Sequence, residues 1–390
     1  MKQISRTVWV LSLISLFTDT ASEMLYPIMP IYLESIGFSI VLIGVLEGIA
    51  EATAGLSKGY FGKLSDKTGK RLPFVQLGYT MSAFAKPLIA FSILPIWVFF
   101  CRTMDRFGKG IRTGARDAML ASESNAENKG RIFGFHRSLD TLGAVLGPTL
   151  ALIYLYFYPE NYITLFYIAF LPGLLAIIAS FYLKDKSAKT NGGREKVNFF
   201  SFLSYWKSST KEYRKLMIGL FAFALFNSSD IFLLLKAKDA GLSDTMVIGI
   251  FIFYNLIYAL FALPLGILSD KIGFRKMFVS GIFVFALVYF GMSAVTDWIS
   301  ISFLFLLYGI YAAATQGIAK AWISSISKKD EVATAIGFYT GIESIFTMIA
   351  SVLAGILWFQ FGASFTFLIT GLASVLVVLY FALSFKGQRN

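Results

Sequence analysis

The sequence predicts an all-α membrane protein of twelve transmembrane helices, arranged as two pseudo-symmetric six-helix bundles. Three observations carry that expectation: a composition too apolar for a soluble globule, an internal repeat, and a succession of apolar segments long enough to cross a bilayer. The chain is 56% hydrophobic and 15% charged over 390 residues, with a mean hydropathy of +0.68, so polar surface is too scarce to clothe a soluble fold. Forty Phe and six Trp suit lipid-facing and interfacial positions. Cys101 is the one cysteine, which excludes an internal disulfide.

The repeat is specific. Gly62-Lys63-Leu64-Ser65-Asp66-Lys67-Thr68-Gly69, running on to Arg71, returns 204 positions later as Gly266-Ile267-Leu268-Ser269-Asp270-Lys271-Ile272-Gly273 before Arg275. Each copy follows one long apolar segment and precedes another, so the chain reads as a duplicated six-helix unit. A weaker echo pairs Gly134-Phe135-His136 and Asp140 with Gly337-Phe338-Tyr339 and Glu343. Matching positions imply a matching structural task.

A crossing needs about 20 apolar residues, and this requirement yields twelve spans in order. Helix 1 is expected at 8–33 with Asp19 and Glu23, helix 2 at 40–60 with Glu47 and Glu51, and helix 3 at 73–92 with Lys86. Helix 4, at 96–120, carries Arg102, Asp105, Arg106, Lys109 and Arg112; helix 5, at 131–157, carries His136, Arg137 and Asp140; helix 6 covers 162–183. In the second half the spans are 216–236 with Asp230, 245–268, 277–296, 299–325 with Lys320, 334–359 with Glu343, and 364–385. The expected domains are therefore a bundle at 1–183, a polar linker at 184–215 and a second bundle at 216–390.

Charge sets the orientation. The formal charge of +12 sits mainly in loops on one side, from Lys2 and Arg6 through Lys63, Lys67, Lys70, Arg71, Lys129, Arg131 and the linker to Lys271, Arg275, Lys276, Lys328, Lys329, Lys386 and Arg389; the other side offers Lys236 and Lys238. That asymmetry places both termini in the cytoplasm, with a bacterial inner membrane as the expected location. Asp19 and Glu23 interrupt the first apolar run, so it does not read as a cleaved signal peptide. The linker holds Lys184, Lys186, Lys189, Arg194 and Lys196 around Asn191-Gly192-Gly193, then Phe199, Phe200, Phe202, Leu203, Tyr205 and Trp206. It is either a solvated tether or, in part, a surface helix lying on anionic headgroups.

Intramembrane charges are the second informative feature, because one at mid-bilayer costs roughly 2.5–3.5 kcal/mol and therefore faces a partner or a wet cavity. They crowd the first half. Asp19/Glu23, Glu47/Glu51 and Arg102/Arg106 are i,i+4 pairs, each making a stripe on one helix face. At 1.5 Å rise per residue, Asp19 and Arg106 both fall ~15 Å from a helix end, near the midplane, where an ion pair between them is feasible. Two like carboxylates on one face also favour holding a proton between them, which suits a proton carrier; Glu23, Glu47 and Glu51 are candidates. The alternative is structural, a network that neutralises itself and locks the first half as a rigid body. His136 reads as an interfacial hydrogen-bonded residue rather than an essential relay. Asn227, Tyr254, Asn255, Tyr258, Tyr308, Tyr311, Gln316, Trp322 and Tyr339 in the second half are available to the organic part of a substrate.

With these residues in view, the doubled Gly-x-Leu-Ser-Asp-Lys-x-Gly-x-Arg signature resembles motif A of the major facilitator superfamily, and the resemblance spans essentially the whole chain. It implies the fold of that superfamily, alternating access, and a latch built from Gly62, Asp66, Gly69, Arg71, Gly266, Asp270, Gly273 and Arg275, the acid accepting from a helix N-terminus or pairing with an arginine. Arg116 is expected at the signature acid. Arg106-Phe107-Gly108-Lys109-Gly110 resembles motif B, with Lys109 where glutamine is usual. Gly143 to Ala151 resembles motif C of drug:proton antiporters through Gly143, Gly147 and Pro148, although Ala151 and Leu152 replace its last glycines; an ordinary tight helix contact is the alternative. Helices 1 and 4 line the path in that superfamily, which favours Asp19, Glu23, Arg102 and Arg106, with Glu51 and Asp140 on flanking helices.

The implied function is proton-coupled export of a small organic molecule by a monomer whose partners are substrate, protons and lipids, without nucleic acid, cofactor or metal. The runner-up is an importer of an anionic nutrient or metal chelate such as a carboxylate siderophore, favoured by Arg102, Arg106, Lys109 and Arg112. A receptor or scaffold without turnover is a third reading. The glycine-interleaved basic run on helix 4 follows no strand and lacks Gly-Lys-Ser/Thr, which argues against a nucleotide-driven pump, and no hydrolytic motif suggests an enzyme.

Overall fold

The computed structural model describes residues 4–185 and 198–384. Lys2, Lys186, Lys189, Asn191, Gly192, Gly193, Arg194, Lys196, Lys386 and Arg389 lie outside the described residues, as does the side chain of Glu47. The elements, in order, are α1 (Arg6–Leu25), α2 (Met29–Ser35), α3 (Ile40–Thr68), α4 (Leu72–Ile89), α5 (Pro95–Ser122), α6 (Lys129–Phe157), α7 (Tyr162–Ser180), a 3-10 turn (Phe199–Ser204), α8 (Tyr205–Ser208), α9 (Lys211–Ala224), α10 (Ile231–Asp239), α11 (Asp244–Ile272), α12 (Phe274–Ala294), α13 (Trp298–Ile326) and α14 (Val332–Ser384). No strand occurs among the described residues.

Local chemistry accounts for most boundaries. Ser5, Ser39, Thr210 and Ser243 each accept a backbone N–H from three residues ahead and so start α1, α3, α9 and α11. α4 and α5 open with a proline in their first turn. Gly69 and Gly273, with φ of +65° and +92°, end α3 and α11 in a backbone region that L side chains avoid. In α14 the dihedrals of Gly362, φ 83° and ψ 169°, separate two helical spans.

Three expectations need correction. The signature was expected as a loop, yet residues 62–68 and 266–272 are the last turns of α3 and α11, and only the terminal glycine leaves the helix. Ser65 and Ser269 return their hydroxyls to the carbonyls of Gly62 and Gly266, at 2.9 and 2.7 Å, which holds the polar residues helical. The expected helices 8–33 and 216–236 are each broken. Pro27 and Pro30 remove donors between α1 and α2. Between α9 and α10 the polar run Asn227-Ser228-Ser229-Asp230 competes for backbone hydrogen bonds.

The chain divides into two compact units. The first comprises 1–125, 139–208 and 327–341. In it α3 and α4 pack on α5, and α7 packs on α1 and α4; Tyr32 meets Phe166 edge-on at 4.9 Å in a core formed around the α1–α2 break. The 3-10 turn belongs to this unit. Phe202 and Tyr205 are buried, Trp206 stacks on Phe338 at 6.3 Å, and Lys63 donates to the Ser201 carbonyl at 2.6 Å. These linker aromatics thus pack on protein, while Phe199, Phe200 and Leu203 stay exposed.

The second unit comprises 126–138, 209–326 and 342–390. There α11 and α12 pack on α13, and Phe285 stacks on Tyr289 at 4.2 Å. Each unit therefore includes a short strip from the opposite half of the sequence. Seven helices among the described residues are long and apolar enough to cross a membrane by length and composition. Large apolar side chains such as Ile96, Tyr156, Phe359 and Leu376 remain exposed, as a lipid-facing surface requires.

Candidate functional site

Each signature acid closes on a helix N-terminus inside its own unit. In the first, Asp66 Oδ2 accepts the backbone N–H of Thr334 at 2.6 Å and its hydroxyl at 2.8 Å, in the opening turn of α14. In the second, the two oxygens of Asp270 accept the N–H groups of Gly130 and Arg131, at 2.7 and 2.8 Å, in the opening turn of α6. These are charge-assisted bonds to groups that have no partner within their own helix, each worth about 1.5–3 kcal/mol. Gly62 meets Ala333 and Gly266 meets Gly130, which lets the helices approach closely enough for the bonds to form. Asp66 lies beyond the apolar run of α3, and burial pushes its carboxyl up to about 6 although Thr334 and Arg71 oppose the rise.

The arginines differ. Arg71 stands 3.7 Å from Asp66 and donates to the Ala118 carbonyl at 3.0 Å, whereas Arg275 donates to the carbonyls of Phe381 and Ala382 at 3.1 and 2.8 Å. Arg116, expected at the signature acid, is instead held by Asp117 at 3.0 Å and stands 3.8 Å from Asp140, with Ser15 Oγ accepting at 3.1 Å. Its buried neighbours satisfy it where it is.

The charges of α5 form a second cluster in the first unit. Asp105 lies 3.4 Å from Lys86, 3.9 Å from Arg102 and 4.0 Å from Arg106. Arg106 also pairs with Glu51 at 2.9 Å. Arg112 donates to Ser82 Oγ at 2.6 Å and lies over the Tyr79 ring at 4.5 Å. Lys109 is exposed. Lys86 and Arg112 belong to the same network.

The helix-5 motif sets α6 against α1. A Cβ on Gly143 would stand 2.6 Å from the Leu16 carbonyl oxygen and 2.9 Å from Asp19 Cβ; one on Gly147 would stand 2.6 Å from Thr20 O and Met24 N. Such contact is open only to glycine. It fixes the stretch of α1 that bears Asp19 and Glu23, and α6 continues through Pro148. His136 is buried.

The second unit contains an aromatic and amide cage. Asp230 accepts from Tyr308 at 2.6 Å and from Tyr254 at 3.2 Å. Asn227 donates to Tyr311 at 3.2 Å, and Tyr258 donates to Gln316 at 2.9 Å. Arg137 donates to both Tyr258 and Gln316. The sequence named these tyrosines and amides without a centre; the Asn-Ser-Ser-Asp run in an apolar span was the signal that could have supplied one.

Comparison with known proteins agrees with this architecture. A family model described as Major Facilitator Superfamily matches residues 11–253 and 216–389. The chain belongs to the major facilitator superfamily. Its fold is therefore the superfamily's twelve crossings in two halves, that of an integral, multi-pass membrane protein, and the family is one of transporters. Among its relatives is an uncharacterised MFS-type transporter of Methanocaldococcus jannaschii, 34% identical over 363 residues, which cover 92% of this chain and 89% of that one. The multi-drug resistance efflux pump PmrA of Streptococcus pneumoniae is 23% identical over 389 residues, covering 95% and 93%. The crystal structure of the human organic anion transporter MFSD10 superposes with a TM-score of 0.83 at 16% identity, over 96% of this chain and 99% of that one. In superfamily terms, α3, α4, α5, the broken α9–α10 pair and the second span of α14 account for the five crossings that simple length and hydropathy do not resolve.

Proposed function

We propose that this transporter exports a small organic molecule in exchange for protons by alternating access. The observation that carries the reading is the seating of Gly143 and Gly147 on α1 beside Asp19 and Glu23, because it joins the exporter-like motif to paired carboxylates within an apolar span. Similarity to PmrA over almost its whole length supports the direction. In this reading the Asp66 and Asp270 caps are the elements that break and reform. Their strength, a few kcal/mol each, suits a two-state equilibrium that substrate and protons can bias. The test is counterflow and uptake of a compound panel in proteoliposomes with and without an imposed pH gradient. Accumulation that ignores the gradient for every transported compound would overturn proton coupling.

A second reading, import of an anionic nutrient or chelate, is favoured by one specific observation. Around Asp105 and Glu51 stand Lys86, Arg102, Arg106 and Arg112, a group of cations suited to attract an anionic substrate. The same panel, with organic anions included on both sides, separates the two.

A further inference from the structure

The second unit holds a carboxylate whose surroundings differ from those of the acids in the first. Asp230 stands at the break between α9 and α10, six residues before Lys236, within the expected span 216–236. Its two oxygens accept from Tyr308 of α13 and Tyr254 of α11. The remaining titratable neighbours are also phenols, Tyr289 from α12 and Tyr311 from α13, and α14 contributes an uncharged hydroxyl, Ser351, to the adjacent Ser229 N–H at 3.1 Å. No ion pair to Asp230 occurs among the described residues. Arg137, which enters this unit from α6, is engaged by Tyr258 and Gln316.

Several acids of the first unit have cations. Glu51 pairs with Arg106, Asp105 with Lys86, and Asp140 lies 3.8 Å from Arg116. A guanidinium or ammonium at that range keeps a carboxylate ionised and makes it a poor proton carrier. An apolar span with hydroxyl donors alone leaves a negative charge unbalanced, and the group must acquire a positive partner. The tyrosine rings decide which. Tyr254, Tyr289, Tyr308 and Tyr311 are each no more than 5% exposed, and Tyr254 and Tyr311 each pack on Tyr308 at 5.2 Å between centroids. The groups on the carboxylate are phenol O–H donors, and among the described residues no second acid or histidine joins it to hold a metal ion, so the partner that fits is a proton. Asp230 itself is only half-buried, so a proton can reach it.

We infer that Asp230 is a proton-binding site of the second unit. A proton from water adds to one carboxylate oxygen, forming an O–H bond, and the neutral acid then both donates to and accepts from the surrounding phenols. The consequence for transport rests on the proton-coupled reading above; the binding event does not.

Infrared difference spectra of the full chain in lipid nanodiscs, recorded across pH, report protonated carboxyl groups directly. The expected result is a titrating carboxyl band that is missing in Asp230→Asn and whose midpoint moves to more alkaline pH in Tyr308→Phe, which deletes one donor to the anion. An Asp230→Asn spectrum that keeps every titrating band overturns the site. Should Asp230→Asn not fold, an unmoved midpoint in Tyr308→Phe overturns it alone. In proteoliposomes Asp230→Asn is expected to lose gradient-driven accumulation about tenfold or more while substrate exchange persists. A band at Asp230 in a wild-type protein that ignores the gradient would uphold the site and sink proton coupling. Gradient-driven transport that survives Asp230→Asn would sink the site's role instead.

Discussion

One carboxylate oxygen of Asp66 receives both the backbone N–H and the hydroxyl of Thr334, at 2.6 and 2.8 Å. Asp270 receives two backbone N–H groups and no hydroxyl. The same residue type, 204 positions apart in sequence, thus caps a helix in each unit with unequal support.

Replacing Asp66 with Ala removes the acceptor for the Thr334 N–H and hydroxyl, so the cap weakens by about 1–2 kcal/mol. Spin labels at positions 67 and 329 are expected to report a broader, longer distance distribution, and Asp270→Ala a smaller change between labels at 271 and 128. Unchanged distributions in Asp66→Ala would remove the latch from the mechanism.

The same cap responds to acid in a defined direction. Burial lifts the Asp66 carboxyl from 3.8 to about 6, so this arrangement binds the proton more tightly than one in which the carboxyl meets water. Its contribution is fully present below pH 3.8 and lost as pH rises through 6. The 67–329 distance is therefore expected to narrow between pH 7.5 and pH 5, and Asp66→Asn to abolish that response. Widening on acidification would reverse the assignment.

Gly147→Ala places a methyl against the Thr20 carbonyl and the Met24 N–H. Forcing it in costs about 1–3 kcal/mol. The check is thermal unfolding in detergent, where the midpoint is expected to fall and Gly147→Val to fall further. An unshifted midpoint would mean that α1 and α6 are not in contact there.

Arg106 separates the two readings of function through its 2.9 Å bond to Glu51. If an anionic substrate binds the guanidinium, Arg106→Lys keeps the charge, loses the bidentate fork, and weakens binding without moving the pH profile. If Arg106 serves coupling, Arg106→Ala moves the pH profile and leaves affinity at low pH nearly intact. Binding titrations across pH on both variants decide between them. Loss of folded protein in both assigns the network a purely structural role.

How far the sequence can be read follows from what each residue's behaviour depends on. The apolar spans and the repeated signature depend on composition and spacing alone, so the fold was legible. The α1–α2 break was announced by Pro27 and Pro30, and the α9–α10 break by four polar residues in succession, yet a count of apolar residues passes over both. The partner of Arg116 was not legible, because several buried acids lie within reach of a long side chain and only packing selects Asp117 and Asp140. Asp230 was visible as an intramembrane acid. Its contrast with Glu51 and Asp105 required knowing which cations surround each.

The strips 327–341 and 126–138 belong to units built mainly from the other half of the sequence, and this bears on how such a chain can have arisen. Before duplication, an ancestor of one half's length would have carried its own strip and lacked a foreign one. It could have completed its fold by borrowing that strip from a second copy, with the signature acid of each copy capping a helix of its twin. Fusion of the two genes would have turned an obligate pair of identical chains into one chain free to let its halves diverge, the first gathering charges and the second tyrosines.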